Sequence, residues 1–377
     1  MNKEEIVEDL IKSIRRFHSR YGSDATIQRF EESILKLNNP RLSCFFAGRI
    51  TGADINAHQK VVLNSKDIEC NINYASFLVE DKMDITDHLN VILESKDPEN
   101  CFKFTDEVMY YPKIKDKKEK IKQLERIILD GKNPAISYLF AKLKFIRDFI
   151  DLKAHEKVIL DSNDAQLSYY FAKEIEGADI KAHEKVVLAS KDPKLCCLFA
   201  GDVKGADIKS HERIVLDSKD IDSWYNFAAK VEGADIKAFE KLILKANNPY
   251  YSCLFAIKIK GADIKAHEQI VLNSKNVKEN YYFARDIVGA DIKAHAKIVI
   301  DSKNFTYNFL FAREVKGADI KAHARVLLEQ CTEDNNYMYN YDEDYDEISE
   351  KLPRESRREI ETEDISRKLK LIKKDNH

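Results

Sequence analysis

The sequence predicts an all-α fold, an α-solenoid of about eleven two-helix repeats, on three observations. The first is a phrase that recurs every 28 residues: GADIKAHEK at Gly177, GADIKSHER at Gly205, GADIKAFEK at Gly233, GADIKAHEQ at Gly261, GADIKAHAK at Gly289 and GADIKAHAR at Gly317. A fixed period in this range marks units that bury their apolar faces only by stacking on neighbours. The second is the placement of proline. Five of the seven prolines follow Asp or Asn, as Asn39-Pro40, Asp97-Pro98, Asn133-Pro134, Asp192-Pro193 and Asn248-Pro249. An Asp or Asn cap accepts an orphan N–H, and a proline at the first helical position wastes none. The third is helical periodicity that is apolar on two sides of the first helix, as a helix sandwiched between neighbours requires.

The elements follow in chain order. Residues 1–24 read as a capping helix with Ile6, Val7, Leu10, Ile11, Ile14 and Phe17 on one face. The repeat domain spans 25–340. Anchored on the position of His183, its units centre on Phe30, His58, His88, Leu124, His155, His183, His211, Phe239, His267, His295 and His323. The spacing is 28 except for 30 before His88, 36 before Leu124 and 31 before His155. The longest insertion carries Tyr110, Tyr111, Pro112 and the run from Lys113 to Lys118, which reads as a longer loop or an extended helix start.

Within a unit, the first helix starts at Asp-Pro and ends near Val203. A left-handed glycine follows (Gly177, Gly205, Gly233, Gly261, Gly289, Gly317), and Asp179-type residues cap the second helix, Ile180 to about Ala189. Helices of about 11 residues are too short to stand alone, so stacking must stabilise them. Phe171, Phe199, Phe227, Phe255, Phe283 and Phe311, with alanines such as Ala200 beside them, form the core columns. The column of Cys197 (Tyr138, Tyr169, Tyr225, Cys253, Tyr281, Phe309) is expected to pack between repeats. After Leu328 the pattern decays, and 341–377 read as a charged, solvated tail following an acidic Tyr-rich stretch at 335–348.

Composition bounds the function classes. Lys and Arg number 62 against 65 Asp and Glu, so no global basic excess points to nucleic acid. No stretch approaches the roughly 18 apolar residues of a membrane span, and the acidic start does not read as a signal peptide. The seven cysteines read as small buried hydrophobes in a reducing cytoplasm, and Cys197 lacks the CxxC spacing of a metal ligand.

The Asp-Pro start, the Phe199-Ala200 pair and the GAD turn resemble the plan of short HEAT-like helical repeats over about residues 25–340. The style is that of repeats in uncharacterised proteins of AT-rich bacteria, phages and large viruses. The 28-residue period is shorter than HEAT, armadillo or tetratricopeptide units. The resemblance implies a binding scaffold and carries no catalytic residue onto this chain.

Two ladders invite functional readings. His58, His88, His155, His183, His211, His267, His295 and His323 share one position. Imidazoles one repeat apart, about 10 Å, cannot share a metal whose ligands sit about 2 Å away. Phe30, Leu124 and Phe239 stand at the same position, so it reads as a packing site. Rings half-buried there would titrate near neutral pH. The second ladder is basic. Lys153, Lys181, Lys209, Lys237, Lys265, Lys293 and Lys321 form one column, and Lys157, Lys185, Arg213, Lys241, Lys297 and Arg325 another. Glu156, Glu184, Glu212, Glu240 and Glu268 lie between them, so a solvated face of local ion pairs is expected, with a phosphate-following track as the sharper alternative. Trp224, the one tryptophan, is a candidate for an exposed binding residue. No nucleophile–base pair or phosphate loop is found. The reading is a non-enzymatic, cofactor-free scaffold for a protein partner. Nucleic-acid binding is second, and a solenoid enzyme or inhibitor acting on nucleic acid is third. The acidic tail would cover the basic face, so deletion from Asn335 would tighten binding.

Overall fold

A computed structural model describes residues 10–14, 16, 25–80, 82–331, 347–348 and 350–360. The fold is all-α, a succession of helical hairpins of the α-solenoid kind, and no strand occurs among the described residues. The chain divides into two compact units. One is residues 1–190 with 203–206, and the other is 191–202 with 207–377.

The first unit holds α1 (Ala25–Lys36), α2 (Pro40–Arg49), α3 (Ile55–Ser65), α4 (Ile68–Glu80), α5 (Thr86–Ser95), α6 (Pro98–Glu107), α7 (Lys117–Asp130), α8 (Pro134–Lys142), α9 (Leu152–Ser162), α10 (Ala165–Glu174) and α11 (Ile180–Ser190). The second holds α12 (Pro193–Asp202), α13 (Ile208–Asp217), α14 (Ile221–Lys230), α15 (Ile236–Ala246), α16 (Pro249–Lys258), α17 (Ile264–Ser274), α18 (Val277–Asp286), α19 (Ile292–Asp301), α20 (Phe305–Glu314) and α21 (Ile320–Cys331). Even-numbered helices are the first of each hairpin. Within each unit they pack on their own second helix and on neighbouring first helices.

The caps form as the sequence dictates. Asn39, Asp97, Asn133 and Asn248 each accept backbone N–H bonds ahead of a first-turn proline. Asp54, Asp151, Asp235, Asp263 and Asp291 accept the N–H three residues on. The turn glycines adopt φ of +84° to +89° between the two helices, a conformation that costs L-residues. A feature the sequence reading missed is that second helices close on left-handed Lys or Asn, such as Lys66, Asn163 and Lys275.

The insertions resolve locally. The longest makes both a turn segment and an early start to α7, and the one before His155 is a 3₁₀ turn, Lys144–Phe149. The core is a repeated ring pair. Phe171 stacks on His183 at 5.0 Å, Phe199 on His211 at 5.1 Å and Phe255 on His267 at 5.1 Å, with ring planes 27–33° apart. Where phenylalanine replaces histidine, Phe227 meets Phe239 at 5.2 Å in the same way. Ala47, Ala75, Ala141, Ala228, Ala256 and Ala312 are buried beside these pairs and admit close helix approach.

Three expectations are corrected. Phe30 is 53% exposed. It lines a cavity of about 320 Å³ with Leu10, Ile14 and Phe46. Leu124 and Phe239, inside the array, are fully buried as read. Second, the segment after the repeats is not wholly a solvated tail. Ile348, Leu352 and Ile360 are buried against Phe305, Phe309, Ala324 and Leu327, because a terminal repeat must have its apolar face covered. Residues 332–346 and 361–377, including most of the Tyr-rich stretch, lie outside the described residues, as do Ile6, Val7 and Phe17 of the N-terminal face. Leu10, Ile11 and Ile14 do pack on the first hairpin. Third, Trp224 is half-buried, and its indole N–H donates to the Val215 carbonyl at 2.9 Å.

Candidate functional site

The titratable ladders are the places where chemistry could occur, and their geometry assigns most of it to architecture. The histidine rings are fully buried, not half-buried. In several hairpins a glutamate reaches into the next repeat. Glu156 Oε1 accepts the backbone N–H of Asp179 at 2.5 Å and lies 3.4 Å from His183 Nε2. Glu31 does the same for Asp54 and His58, Glu240 for Asp263 and His267, and Glu268 for Asp291 and His295, with N–H bonds of 2.6 Å. Glu125, Glu156, Glu184 and Glu212 are buried and Glu240 and Glu268 half-buried, so the expected solvated stripe of Lys and Glu is corrected: the cations face out and the carboxylates turn toward the next repeat. A carboxylate on a two-methylene arm reaches the neighbour's helix N-terminus, where its charge meets an orphan N–H and the positive dipole end.

Two proton arrangements follow from the other ring nitrogen. In α4, Asn71 Oδ1 lies 2.8 Å from His88 Nδ1, while the Asn71 amide donates to Val62 and Asp67 carbonyls. The ring must therefore donate from Nδ1, and Gln59, standing where other hairpins have Glu, donates to Nε2 at 3.3 Å. In the Ser168–His183 hairpin, Ser168 Oγ and His183 Nδ1 are both buried without a protein partner. There Glu156 Oε1 lies 3.4 Å from Nε2, close enough for charge attraction but without hydrogen-bond geometry. His295 combines both, with Asn280 Oδ1 at 2.7 Å and Glu268 Oε1 at 3.3 Å. Trp224 takes the Asn column in the hairpin that has Phe239, and its N–H supplies the bond to the carbonyl nine residues back that Asn280 makes at 3.0 Å to Val271.

Burial pushes the pKa of His88 and His323 down to about 4. It also lowers His58, His183, His267 and His295, against the opposing pull of their glutamates. The unfolded chain then binds more protons than the folded one. Stability is full above pH ~6.5 and is lost as pH falls toward 4. At pH 5, His88 and His323 each cost about 2 kcal/mol by this linkage. Thermal melts at pH 7 and 5 are expected to show a fall of several degrees, and His88→Phe should remove part of it. A second expectation concerns Ser168→Asn, which copies the His295 arrangement. It should raise the pKa of His183, because both ring nitrogens then face acceptors. An NMR titration of the imidazole nitrogens reads it directly.

Most of the lysine ladder faces solvent, and its last two members do not. Lys157, Lys181, Lys185, Arg213, Lys237, Lys241, Lys265, Lys293 and Lys297 are exposed. Lys153 and Lys209 are exposed too, each 2.6 Å from its glutamate, Glu156 or Glu212. Lys321 and Arg325 are half-buried and pair with Glu359 of the C-terminal cap. Burial raises the Cys196, Cys197 and Cys253 thiols to about 12, which makes them poor nucleophiles. Among the described residues no three His, Cys, Asp or Glu side chains cluster for a metal, and no helix is long and apolar enough to cross a membrane.

The first-helix surface is the place where the repeats differ. In the first unit Tyr138 donates to Glu174 at 2.6 Å, and Lys142 lies over the ring and 2.8 Å from the same carboxylate. In the second unit Tyr281, Arg285 and Glu314 repeat this arrangement. Between α12 and α14 it is absent. A groove of about 590 Å³ opens there, lined by Lys194, Cys197, Leu198, Gly201, Asp202, Asp222, Ser223, Asn226 and Lys230. Leu198 at its rim is 43% exposed, and Tyr250 on α16 is 47% exposed. The groove was not foreseen, since Cys44 and Gly48 repeat the same Cys–Gly pair and Cys253 is equally small, so the column alone did not single it out.

Fold and surface together define a helical-hairpin repeat protein. No family model matches the sequence, and no curated protein matches it.

Proposed function

We propose that this protein is a non-enzymatic scaffold that binds a protein partner on the first-helix surface of its second unit. One observation carries the reading: the groove between α12 and α14, with Leu198 exposed at its rim. Concave, partly apolar sites with a few polar groups are where recognition concentrates. The His, Glu and Asp ladders are occupied by packing and inter-repeat bonds, which leaves this surface to vary. Free thiols at six described cysteines fit a reducing cytoplasm.

A pull-down with the full chain as bait tests it. Leu198→Glu with Tyr250→Glu should abolish partner recovery, while Lys157→Glu with Lys185→Glu and nuclease treatment should leave it intact. Recovery that depends on the lysines or on nuclease, and not on Leu198 and Tyr250, would favour the nucleic-acid reading. A gel shift whose affinity falls steeply with salt would point the same way.

A further inference from the structure

The groove's lining identifies the chemistry of its occupant, because the protein carries filled versions of the same site. At Tyr138, Lys142 and Glu174, a ring lies across the seam between adjacent first helices, a cation covers it, and a carboxylate from the next helix accepts the hydroxyl. Tyr281, Arg285 and Glu314 do the same. The corresponding positions of α12 and α14 are Cys197, Gly201 and Lys230. The ring is reduced to a thiol, whose S–H points to the Ser223 carbonyl at 3.3 Å. The covering cation is gone. The carboxylate has become an exposed ammonium, with a second, Lys194, on the opposite wall. Of the two carboxylates in the lining, Asp222 accepts the Tyr251 hydroxyl, and Asp202 is the other.

We propose that this groove binds a partner segment in which an aromatic residue is flanked by Asp or Glu. The incoming ring takes the place that Tyr138 and Tyr281 fill in their own rows, against Cys197, Leu198 and the bare backbone at Gly201. The flanking carboxylates meet Lys230 and Lys194. A phenol hydroxyl is not required, since Lys230 cannot accept the bond that Glu174 and Glu314 accept. The charge pattern selects acidic over basic segments, and the missing ring selects aromatic over small residues.

This inference rests on the scaffold reading and can fail separately from it. Fluorescence polarisation is measured with the full chain and a labelled Gly-Ser-Gly-Glu-Phe-Glu-Gly-Ser-Gly peptide, beside versions carrying Lys-Phe-Lys and Glu-Ala-Glu at the centre. The first peptide should bind at least about tenfold more tightly than either control, a gap of about 1.4 kcal/mol. The triple variant Cys197→Tyr, Gly201→Arg, Lys230→Glu rebuilds the filled arrangement and should lose that binding while melting like the wild type. Lys230→Glu alone changes one exposed side chain and should weaken the acidic peptide and strengthen the Lys-Phe-Lys peptide. Equal binding of all three peptides, no binding up to about 1 mM, or indifference to Lys230→Glu overturns the proposal. Should that happen while the pull-down still depends on Leu198 and Tyr250, the scaffold reading stands and the acidic–aromatic partner does not.

Discussion

Glu156→Ala is expected to destabilise the first unit by about 3 kcal/mol, the cost of leaving buried polar groups without partners. The carboxylate holds the Asp179 N–H at 2.5 Å, faces His183 and takes Lys153 at 2.6 Å. Its loss strands the N–H at a helix start and removes the carboxylate that faces a buried ring. The bond to exposed Lys153 contributes little, because solvent screens it. Lys153→Ala should therefore cost only a few tenths of a kcal/mol, and the contrast between the two variants is the sharper test. Urea unfolding of each, and of the Glu156→Ala, His183→Phe pair, measures the coupling. If Glu156→Ala and Lys153→Ala cost the same, the glutamate acts at the surface and the inter-repeat role assigned to it is wrong. Because stacked repeats couple only to neighbours, the loss should also broaden the transition.

Deleting residues 347–377 should be equally severe for the second unit. Ile348, Leu352 and Ile360 cover Phe305, Phe309 and Leu327, and removing them bares the last hairpin's core. Burial of three such side chains is worth roughly 5 kcal/mol in transfer terms. The truncated chain should melt lower and bind an apolar dye, with α20 and α21 losing amide protection first. Unchanged melting would mean that the segment merely rests on the surface. The same packing complicates a simple deletion test of the acidic stretch, since cutting at Asn335 also strips the cap. Glu359→Gln is the cleaner probe of whether the cap masks Lys321 and Arg325, because it breaks those pairs and leaves Ile348 and Ile360 in place.

Much of the hairpin was legible in the residues. Asn39, Asp97, Asn133 and Asn248 announce the first helices, Asp179-type residues the second, and glycine the turn between, because caps and left-handed turns are decided within three or four residues. The substitution of Phe239 for histidine revealed a packing site, and the Phe227–Phe239 pair has the geometry of the Phe–His pairs. The sequence alone therefore determined the period, the helices, the caps and the ring column.

Tertiary structure decided what a helical wheel does not contain. The wheel placed Glu156 and Glu212 on the solvent side, beside the lysines. Each second helix, however, has a neighbour flanking that side, and a long carboxylate arm reaches the neighbour's open N-terminus. Phe30 occupies the same position as buried Phe239 and is exposed, because burial depends on the surrounding helices and not on the position within the repeat. Ile348 and Ile360 sit in a charged stretch that reads as solvated, yet the unpaired face of the last repeat holds them. The groove at Cys197 and Gly201 required knowing that Lys230 faces them across the seam, 29 residues from Gly201. Local rules fix each unit, but the pairing of units depends on distances that only stacking sets.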